Sequence, residues 1–393
     1  MKTNELLYIA KNKLLSTTSR PEIVMEKGKG LYLYDTEGNR YLDFIGGWAV
    51  NCLGHSPQVI SEAITKQAKQ LVNGSPSFYN TRMLEYAELL TNNCCFDKVF
   101  FSSTGAEANE GAIKLARKYG YKFKKGAAEI ITMENSFHGR TLATMSATGK
   151  KKWQNLFEPK AKGFLKAKFN DFASVQKLVS DKTCAIMIEP IQGEGGVNVA
   201  TNDFVKKIRS LCDQEKILFI FDEVQTGFGR TGKLFAYEHF KIEPDIMTLG
   251  KGIGGGFPLS ALATKKSLDI FETGDQGGTY TGQPLGMAVG LAVLQELLQK
   301  KLVENCRQMG SLIKSKLSNL ASCSEIKNIR GEGLLLAFDL TKTSASLLAK
   351  KCLDDFLIIN ALREDSIRLM PPLVISEKEI EKMITILEKN LLT

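Results

Sequence analysis

Long apolar segments are absent from this sequence of 393 residues. No run approaches the roughly 18 consecutive apolar residues that a membrane-spanning helix requires, so we predict no membrane partner. The N-terminal segment MKTNELLYIAKNKLL contains apolar side chains, but lysines interrupt them and leave no continuous signal-peptide core. We therefore predict an amphipathic N-terminal arm on a cytoplasmic protein.

Metal-binding patterns are also absent. The chain has eight cysteines and three histidines, and the cysteines form no CxxC pair. The adjacent Cys94 and Cys95 match no zinc-ligand spacing. This usage predicts reduced, mostly buried thiols, as in cytoplasmic proteins, and no metal site. We interpret His55 as a structural histidine.

Basic residues are in excess, with a net charge of +9, but they do not form a long patch. They cluster only at residues 122–125 and 150–152, and such short runs are typical of solvated faces. We predict no nucleic-acid partner, because steering of acidic substrates or phosphate explains the charge better.

The remaining composition, with 43% hydrophobic and 24% charged residues, is that of an ordinary globular protein. No internal repeat or low-complexity tract occurs. The length exceeds the usual size of a single core, so we expect more than one domain.

Two apolar runs each end in a side chain with reactive chemistry. Residues 217–221 predict a buried strand that ends at Asp222 and Glu223, and residues 246–249 predict a second strand that ends at Gly250 and Lys251. If the two strands are parallel neighbours, Asp222 and Lys251 emerge at the same edge of the sheet. An acid and an amine on one site suit pyridoxal phosphate, which needs a lysine and an acidic partner for its ring nitrogen.

A phosphate site is indicated after another predicted strand, at residues 98–101. Thr104 and Glu107 have the spacing of a capping box, which marks the start of a helix. Gly105 and Ala106 leave the first amides of that helix open, and such amides bind phosphate. A capping box is also a common structural feature, so this pattern alone leaves both interpretations open.

These segments together resemble the class III (ω-) aminotransferases, enzymes of fold-type I that depend on pyridoxal phosphate. The resemblance covers residues 20–390 and is carried, in order, by STGAEANEGAIKLAR, SFHGRT, EPIQGEGGV, FDEVQTGFGRTGKLFAYEH, LGKGIGGG, GGTYTGQPLG and IRLMPPLVIS. It implies an α/β fold: a large domain with a mostly parallel seven-stranded sheet between helices, plus a smaller α+β domain. We predict an N-terminal arm and small-domain segment at 1–57, the large domain at 58–286 and the C-terminal small domain at 287–393.

The resemblance also implies roles around the cofactor. Lys251 would form the Schiff base, Asp222 would hold the pyridine nitrogen and Gln225 would lie by the ring hydroxyl. Phe137 would stack on the ring, with a core phenylalanine as the alternative. The phosphate would be bound by Thr104, Gly105 and Ala106 and, across the interface of a homodimer with a shared active site, by Thr279.

Substrate-binding roles follow in the same way. Arg140 would grip a substrate carboxylate, and Glu194 would mask a second carboxylate-binding arginine, Arg368. The alternatives are a surface arginine and a solvated loop carboxylate. Trp48 would line the substrate entrance or serve only in packing, and Gly278 would lie beside the substrate.

For the reaction, NCLGH and FHGRT are most similar to members of the class that act on N2-acetyl-L-ornithine. The expected products with 2-oxoglutarate are N-acetylglutamate 5-semialdehyde and L-glutamate, in arginine biosynthesis. The family's acetylornithine enzymes usually carry a smaller residue at Trp48, and Thr281 and Gln283 depart from the usual pattern. Ornithine, 4-aminobutyrate or another ω-amino donor therefore stays as the alternative, followed by a glutamate-1-semialdehyde aminomutase and a non-enzymatic cofactor-sensing module.

Overall fold

The computed structural model describes residues 1–153 and 155–392. Its helical segments are α1 (Thr3–Lys13), α2 (Gly46–Ala49), α3 (Gln58–Ala68), α4 (Thr81–Thr91), α5 (Gly105–Phe123), α6 (Leu142–Ala147), α7 (Phe172–Gln176), α8 (Asn202–Glu215), α9 (Pro284–Gln299), α10 (Leu302–Ala321), α11 (Ala345–Asp354) and α12 (Glu377–Leu392). Short 3-10 turns lie at Lys151–Trp153, Ala236–His239, Lys251–Gly254 and Lys266–Leu268.

The strands are β1 (Met25–Lys29), β2 (Tyr32–Asp35), β3 (Arg40–Asp43), β4 (Lys98–Ser102), β5 (Glu129–Met133), β6 (Phe164–Ala167), β7 (Thr183–Ile188), β8 (Ile191–Gln192), β9 (Asn198–Val199), β10 (Leu218–Asp222), β11 (Ile246–Leu249), β12 (Ser260–Thr264), β13 (Ile326–Glu332), β14 (Leu335–Leu340), β15 (Leu357–Ile358), β16 (Asn360–Ala361) and β17 (Ser366–Leu369).

A seven-stranded sheet forms the centre of the molecule, in the order β4-β12-β11-β10-β7-β5-β6. β12 runs antiparallel to both of its neighbours, and the pairs β11–β10, β10–β7, β7–β5 and β5–β6 are parallel. The predicted α/β fold with a mostly parallel seven-stranded sheet is therefore confirmed.

The strands of this sheet are buried because helices cover both of its faces. In β10, Phe219 and Phe221 pack in the cluster that contains the apolar side of α8, while Leu218 and Ile220 pack with α5 on the opposite face. Alternate residues of a strand point to opposite faces, so an unbroken apolar run suits this position. The run at 217–221 thus encodes a central strand.

The register of β10 and β11 brings Asp222 and Lys251, the side chains at the ends of these strands, close together. The strands are parallel, and Asp222 is paired with Thr248, one residue before the end of β11. Gly250 and Lys251 follow β11 directly, so Asp222 and Lys251 leave the sheet at the same carboxyl edge. The predicted arrangement of these two strands is correct.

Smaller sheets flank the central one, in the orders β1-β2-β3-β15 and β13-β14-β17-β16, and β8 and β9 form a short ribbon. β15 pairs with β3, so the C-terminal part of the chain completes a sheet begun by the N-terminal part. The predicted boundary between residues 286 and 287 falls in the first turn of α9. The division into three segments stays a prediction.

The strands predicted at residues 98–101, 217–221 and 246–249 agree with β4, β10 and β11 to within one residue, and α5 begins directly after Thr104 as predicted. α9 begins at Pro284, where the Gln283 side chain accepts a hydrogen bond from the Gly286 amide and proline occupies the first helical position. β6 and β12 were not predicted.

No helix in the described part of the chain is long and apolar enough to cross a membrane. The eight cysteines are free thiols. Among residues 1–153 and 155–392, no group of three or more His, Cys, Asp or Glu side chains could hold a metal ion.

The glycine at position 120 generates a prediction about stability. A Cβ added at Gly120 in α5 would lie 1.8 Å from the carbonyl oxygen of Ala127. We expect Gly120→Ala to lower the free energy of unfolding by about 3 kcal/mol through this clash, although alanine favours helices. Gly126→Ala is the control, because Gly126 has a φ of +87° but open space around it, and should cost about 1 kcal/mol. Thermal unfolding followed by circular dichroism would compare the variants, and equal losses would contradict the prediction.

Candidate active site

A cavity of about 290 Å³ lies at the carboxyl edge of the central sheet. Its lining comprises Gly105, Ala106, Asn109, Phe137, His138, Gly139, Arg140, Glu189, Ile191, Glu194, Asp222, Val224, Gln225, Thr226 and Lys251. These side chains come from segments far apart in sequence. They meet because they lie at the start of α5 or follow the carboxyl ends of β5, β7, β10 and β11. The cavity has the size of a small-molecule site.

Asp222 is a buried carboxylate that three donors hold in place. One oxygen, Oδ2, accepts from Nδ2 of Asn109 at 2.8 Å and pairs with Nδ1 of His138 at 2.7 Å. The other, Oδ1, accepts from the Val224 amide at 3.1 Å. Because a carboxylate can only accept, Nδ1 of His138 carries the proton in this pair. The carboxylate is therefore fixed in orientation before any ligand binds.

Asn109 and His138 were not predicted to belong to the site. Asn109 lies in α5 and also donates to the His138 carbonyl at 2.7 Å, while its own oxygen accepts from Thr248 at 2.6 Å. The Nε2 atom of His138 is buried and has no hydrogen-bond partner among the described residues. In the sequence, the only feature that could have predicted a site role for His138 is its position in the motif SFHGRT.

Lys251 follows β11 and has a φ of +48°, a left-handed conformation that is uncommon for a lysine. Loss of solvent around its amine, followed by the nearby Arg368 cation, lowers the pKa of Lys251 to about 8. The carboxylates of Glu194, Asp222 and Glu189 oppose this shift. A substantial fraction of the amine is therefore neutral near neutral pH, which a nucleophile or a base requires.

Glu189 is a further carboxyl group of the site that the sequence analysis treated only as the end of a strand. It follows β7, and its Oε2 accepts from the Phe137 amide at 3.0 Å. Burial, and then the Asp222 carboxylate, raise the pKa of Glu189 well above its ordinary value. The raised pKa favours the uncharged form of Glu189 and so reduces the negative charge beside Asp222.

Gln225 presents an unused donor to the cavity. Its Nε2 atom is buried and has no partner within the described residues, while its Oε1 lies 3.5 Å from Nη1 of Arg368. A Cβ added at Gly193 would lie 1.7 Å from this same Oε1, so the absence of a side chain there leaves room for the amide. A buried donor without a partner is costly, which points to a ligand acceptor in the cavity.

Glu194 lies in the loop between β8 and β9 and forms an ion pair with Arg368. Its Oε1 is 2.7 Å from Nη2 of Arg368. On β17, Arg368 is fully buried and is also bonded through Nε to Oδ1 of Asn360 at 3.0 Å. Arg368, and after it Lys150, hold the pKa of the Glu194 carboxyl at about 2 against the effect of its burial.

Trp48 lies over Arg368 rather than in the cavity wall. The guanidinium carbon of Arg368 is 5.5 Å from the centre of the Trp48 ring, and the residue is 51% exposed. The backbone of α2 is a left-handed turn, with φ values of +63° at Gly47, +66° at Trp48 and +65° at Ala49. Such a conformation costs about 1 kcal/mol or more at each non-glycine residue. The strained turn places an indole face on a buried cation.

Five of the predicted residues are not among those that line the cavity: Arg368, which pairs with Glu194, Trp48, which lies over Arg368, and Thr104, Gly278 and Thr279. The hydroxyl of Thr104 accepts from the Glu107 amide, and its own amide donates to the Glu107 carboxylate at 2.8 Å, so both groups serve the helix cap. Gly278 and Thr279 line a separate surface depression beside Ser102. Within this chain they contribute nothing to the walls around Lys251.

A larger groove of about 920 Å³ lies at the opposite, amino end of the strands. Its arginine, Arg209, already forms ion pairs with Asp213 at 2.8 Å and with Asp245 at 2.9 Å. The groove lies at the amino ends of the strands and contains neither Asp222 nor Lys251, so we take the smaller cavity, at the carboxyl ends, as the candidate active site.

Comparison with known proteins identifies the family. A family model described as aminotransferase class-III matches residues 15–391. The chain is a class III aminotransferase. It is 52% identical over 381 residues to an acetylornithine aminotransferase from Ralstonia nicotianae, covering 95% of this chain and 96% of the relative. An acetylornithine aminotransferase from Caldanaerobacter subterraneus is 44% identical, with 98% of each chain covered.

Solved structures agree with this assignment. The crystal structure of an acetylornithine aminotransferase from Elizabethkingia anophelis has a TM-score of 0.89 and 35% identity, covering 100% of this chain and 99% of the other. The ornithine aminotransferase from Toxoplasma gondii has a TM-score of 0.95 and 31% identity, covering 100% and 95%. The predicted family and fold are therefore confirmed.

Enzymes of this family depend on pyridoxal phosphate, and the site of the aminotransferase fits that cofactor. Asp222 is a buried carboxylate of fixed orientation that could pair with a ring nitrogen, and the unpartnered amide of Gln225 could donate to a ring oxygen. The first amides of α5, at Gly105 and Ala106, lie beyond the intrahelical hydrogen bonds and suit a phosphate. These groups converge on the cavity that also contains the amine of Lys251.

The low pKa of Lys251 leads to a prediction about cofactor uptake. We expect the rate at which the apoenzyme binds pyridoxal phosphate to rise with pH and to level off above about 8, because only the neutral amine attacks. Arg368→Gln should move the midpoint upward, since the arginine cation lowers the pKa of Lys251. Stopped-flow absorbance across a pH series would measure both profiles. A rate that keeps rising toward pH 10.5, the ordinary lysine value, would contradict the assigned pKa.

Proposed function

We propose that the aminotransferase moves the terminal amino group of N2-acetyl-L-ornithine to 2-oxoglutarate. The products would be N-acetylglutamate 5-semialdehyde and L-glutamate, a step of arginine biosynthesis. One observation carries the proposal: the site has an exposed arginine, Arg140, and a second arginine, Arg368, that Glu194 covers. An enzyme that alternates between a monocarboxylate donor and a dicarboxylate acceptor needs one permanent and one switchable carboxylate site. The names of the relatives from Ralstonia and Caldanaerobacter support this donor.

We propose that the cofactor is held by the groups that converge on the cavity. Asp222, oriented by His138 and Asn109, would keep a proton on the ring nitrogen, and Gln225 would donate to the ring hydroxyl. Phe137 would pack against the ring, and the amides of Gly105 and Ala106 would bind the phosphate. When bound, the protonated ring withdraws electrons from the carbon atom whose proton is to be removed.

Lys251 would hold the cofactor through its amine until an amino donor binds. As a free amine with a lowered pKa, it would take the proton from the donor carbon and deliver it to the C4′ carbon. Glu189, whose pKa is raised and which accepts from the Phe137 amide, would leave Asp222 as the main negative charge facing the ring nitrogen.

The arginines would then distinguish the two half-reactions. Arg140 would bind the carboxylate of acetylornithine while Glu194 stays on Arg368. 2-Oxoglutarate would need both arginines, so Glu194 would have to leave Arg368 in the second half-reaction. Arg368 is buried and held by Asn360, so the glutamate is the member of the pair that can move.

Ornithine is the second candidate donor, because two observations favour it. The Toxoplasma ornithine aminotransferase resembles this chain over its whole length. Trp48 and the departures at Thr281 and Gln283 distinguish this chain from the usual acetylornithine pattern. An aminomutase has less support, since a switchable Arg368 serves a reaction with two different substrates.

We further propose a homodimer in the cytoplasm. Thr279 and the aromatic side chains of Phe78, Tyr79 and Tyr280 are exposed on the surface, which suits burial against a second copy. Thr279 would then reach the cofactor phosphate of the partner. The free thiols suit a reducing compartment.

The donor can be tested with single half-reactions. We expect acetylornithine to convert the pyridoxal form to the pyridoxamine form at least about tenfold more efficiently than ornithine or 4-aminobutyrate, because the relatives from Ralstonia and Caldanaerobacter are named for that donor. Stopped-flow absorbance would measure each rate. Lys251→Ala is the control and should show no conversion. Faster conversion by ornithine would transfer the assignment to the second candidate.

The shared site can be tested by mixing two inactive variants. Lys251→Ala removes the base, and Thr279→Glu places a negative charge where the phosphate is expected. If Thr279 serves the partner, a mixed dimer contains one intact site, and activity should recover to about a quarter of wild type after statistical exchange. Gel filtration would verify that both variants remain dimers. No recovery from a mixture of verified dimers would place Thr279 in its own chain's site or in no site.

A further inference from the structure

The carboxylate of Glu194 lies between two cations, not one. Its Oε1 pairs with Nη2 of Arg368 at 2.7 Å, and its Oε2 pairs with Nζ of Lys150 at 3.0 Å. The two ion pairs use different oxygen atoms, so one can break while the other remains. Lys150 belongs to the basic run at 150–152, whose other members, Lys151 and Lys152, are exposed.

The position of Lys150 is fixed by aromatic rings as well as by charge. Its ammonium nitrogen lies 4.9 Å from the ring centre of Phe137 and 5.4 Å from that of Trp153. These rings are 5.8 Å apart and adjoin the cavity, since Phe137 lines it. Cation–π contacts of this kind hold a lysine in one place without neutralising it. Lys150 is therefore held in place beside Glu194, next to the cavity.

Arg368 has no comparable freedom to move. It is fully buried, is bonded to Asn360 and Gln225, and lies under the ring of Trp48. Glu194 instead occupies a loop framed by Gly193, Gly195 and Gly196, at the tip of the β8–β9 ribbon. When Arg368 binds a substrate carboxylate, we therefore expect the loop that carries Glu194 to move and Arg368 to stay in place.

Releasing Glu194 from Arg368 would be costly if no other partner existed. Its side chain is only 26% exposed, and a carboxylate in such surroundings needs a counter-charge. The pair with Lys150 can persist during the release, since it uses the other oxygen. The negative charge is then never left alone.

We propose that Lys150 is a positioning residue that retains Glu194 when Arg368 is uncovered, and so lowers the cost of admitting a dicarboxylate. The inference rests on the proposed function, in which Glu194 alternately covers and exposes Arg368. It assigns to the aminotransferase a second, permanent anchor for the moving carboxylate. The amine half-reaction, in which Arg368 stays covered, does not use this anchor.

The test uses equilibrium binding and half-reactions of the holoenzyme. Lys150→Gln should weaken the binding of glutarate, an unreactive dicarboxylate, by about fivefold and raise the KM for 2-oxoglutarate by a similar factor. The rate with the ω-amino donor should change by less than about twofold. Lys150→Arg should restore binding, because it keeps the cation. Lys151→Gln removes the same charge from an exposed neighbour and should have no effect.

A double-mutant cycle decides whether Lys150 acts through Glu194. In a Glu194→Gln background, Lys150→Gln should no longer change glutarate binding. An undiminished effect there would mean that Lys150 attracts the ligand directly and would overturn the proposal, as would equal losses in both half-reactions. If the wild-type enzyme bound no dicarboxylate, the proposed function itself would fail. If wild type bound glutarate and Lys150→Gln bound it equally well, only the present inference would fall.

Discussion

The site depends on keeping a carboxylate and an amine in one cavity without letting them neutralise each other. Asp222 is committed to His138, Asn109 and the Val224 amide, which orient its oxygens. Lys251 meanwhile loses solvent and faces the Arg368 cation, so its pKa falls to about 8. An acid that is already satisfied and an amine that is already partly neutral can coexist without collapsing into an ion pair.

The charges around this pair are interdependent. Arg368 helps to lower the pKa of Lys251, but Glu194 opposes that effect while it covers the arginine. Uncovering Arg368 therefore changes the electrostatic environment of the amine as well as the room for substrate. Because Lys150 also contacts Glu194, the position of a loop carboxylate connects substrate choice with the protonation of the base.

The sequence was most informative where local patterns determine the structure. Asp222 and Lys251 follow apolar runs, and parallel pairing of those runs was enough to predict a common edge. The capping box at Thr104 predicted the start of α5 for the same reason. These inferences needed only periodicity and chain direction.

The rest of the site depends on contacts between distant segments, and no local pattern encodes them. His138 bonds Asp222 across 84 residues of sequence, and Glu189 resembles an ordinary strand terminator until the fold places it beside Phe137. Lys150 has the sequence of a solvated basic run, an interpretation that holds for Lys151 and Lys152 but not for Lys150. The roles of Trp48 and Thr279 stay predictions, since one lies over Arg368 and the other faces away from the cavity.

Positive φ values at non-glycine residues occur at several places in the chain, and two of these places adjoin the cavity. Trp48 lies in a left-handed turn and Lys251 has a φ of +48°, each at a cost of about 1 kcal/mol or more. Neither residue type favours such a conformation, so the surrounding packing must hold it. At Lys251 the turn directly follows β11, and at Trp48 it places a ring over the arginine. The fold thus gives up some stability to hold two side chains in fixed positions. Lys251 lies where the cofactor would bind, and Trp48 lies over the arginine that would bind the second substrate.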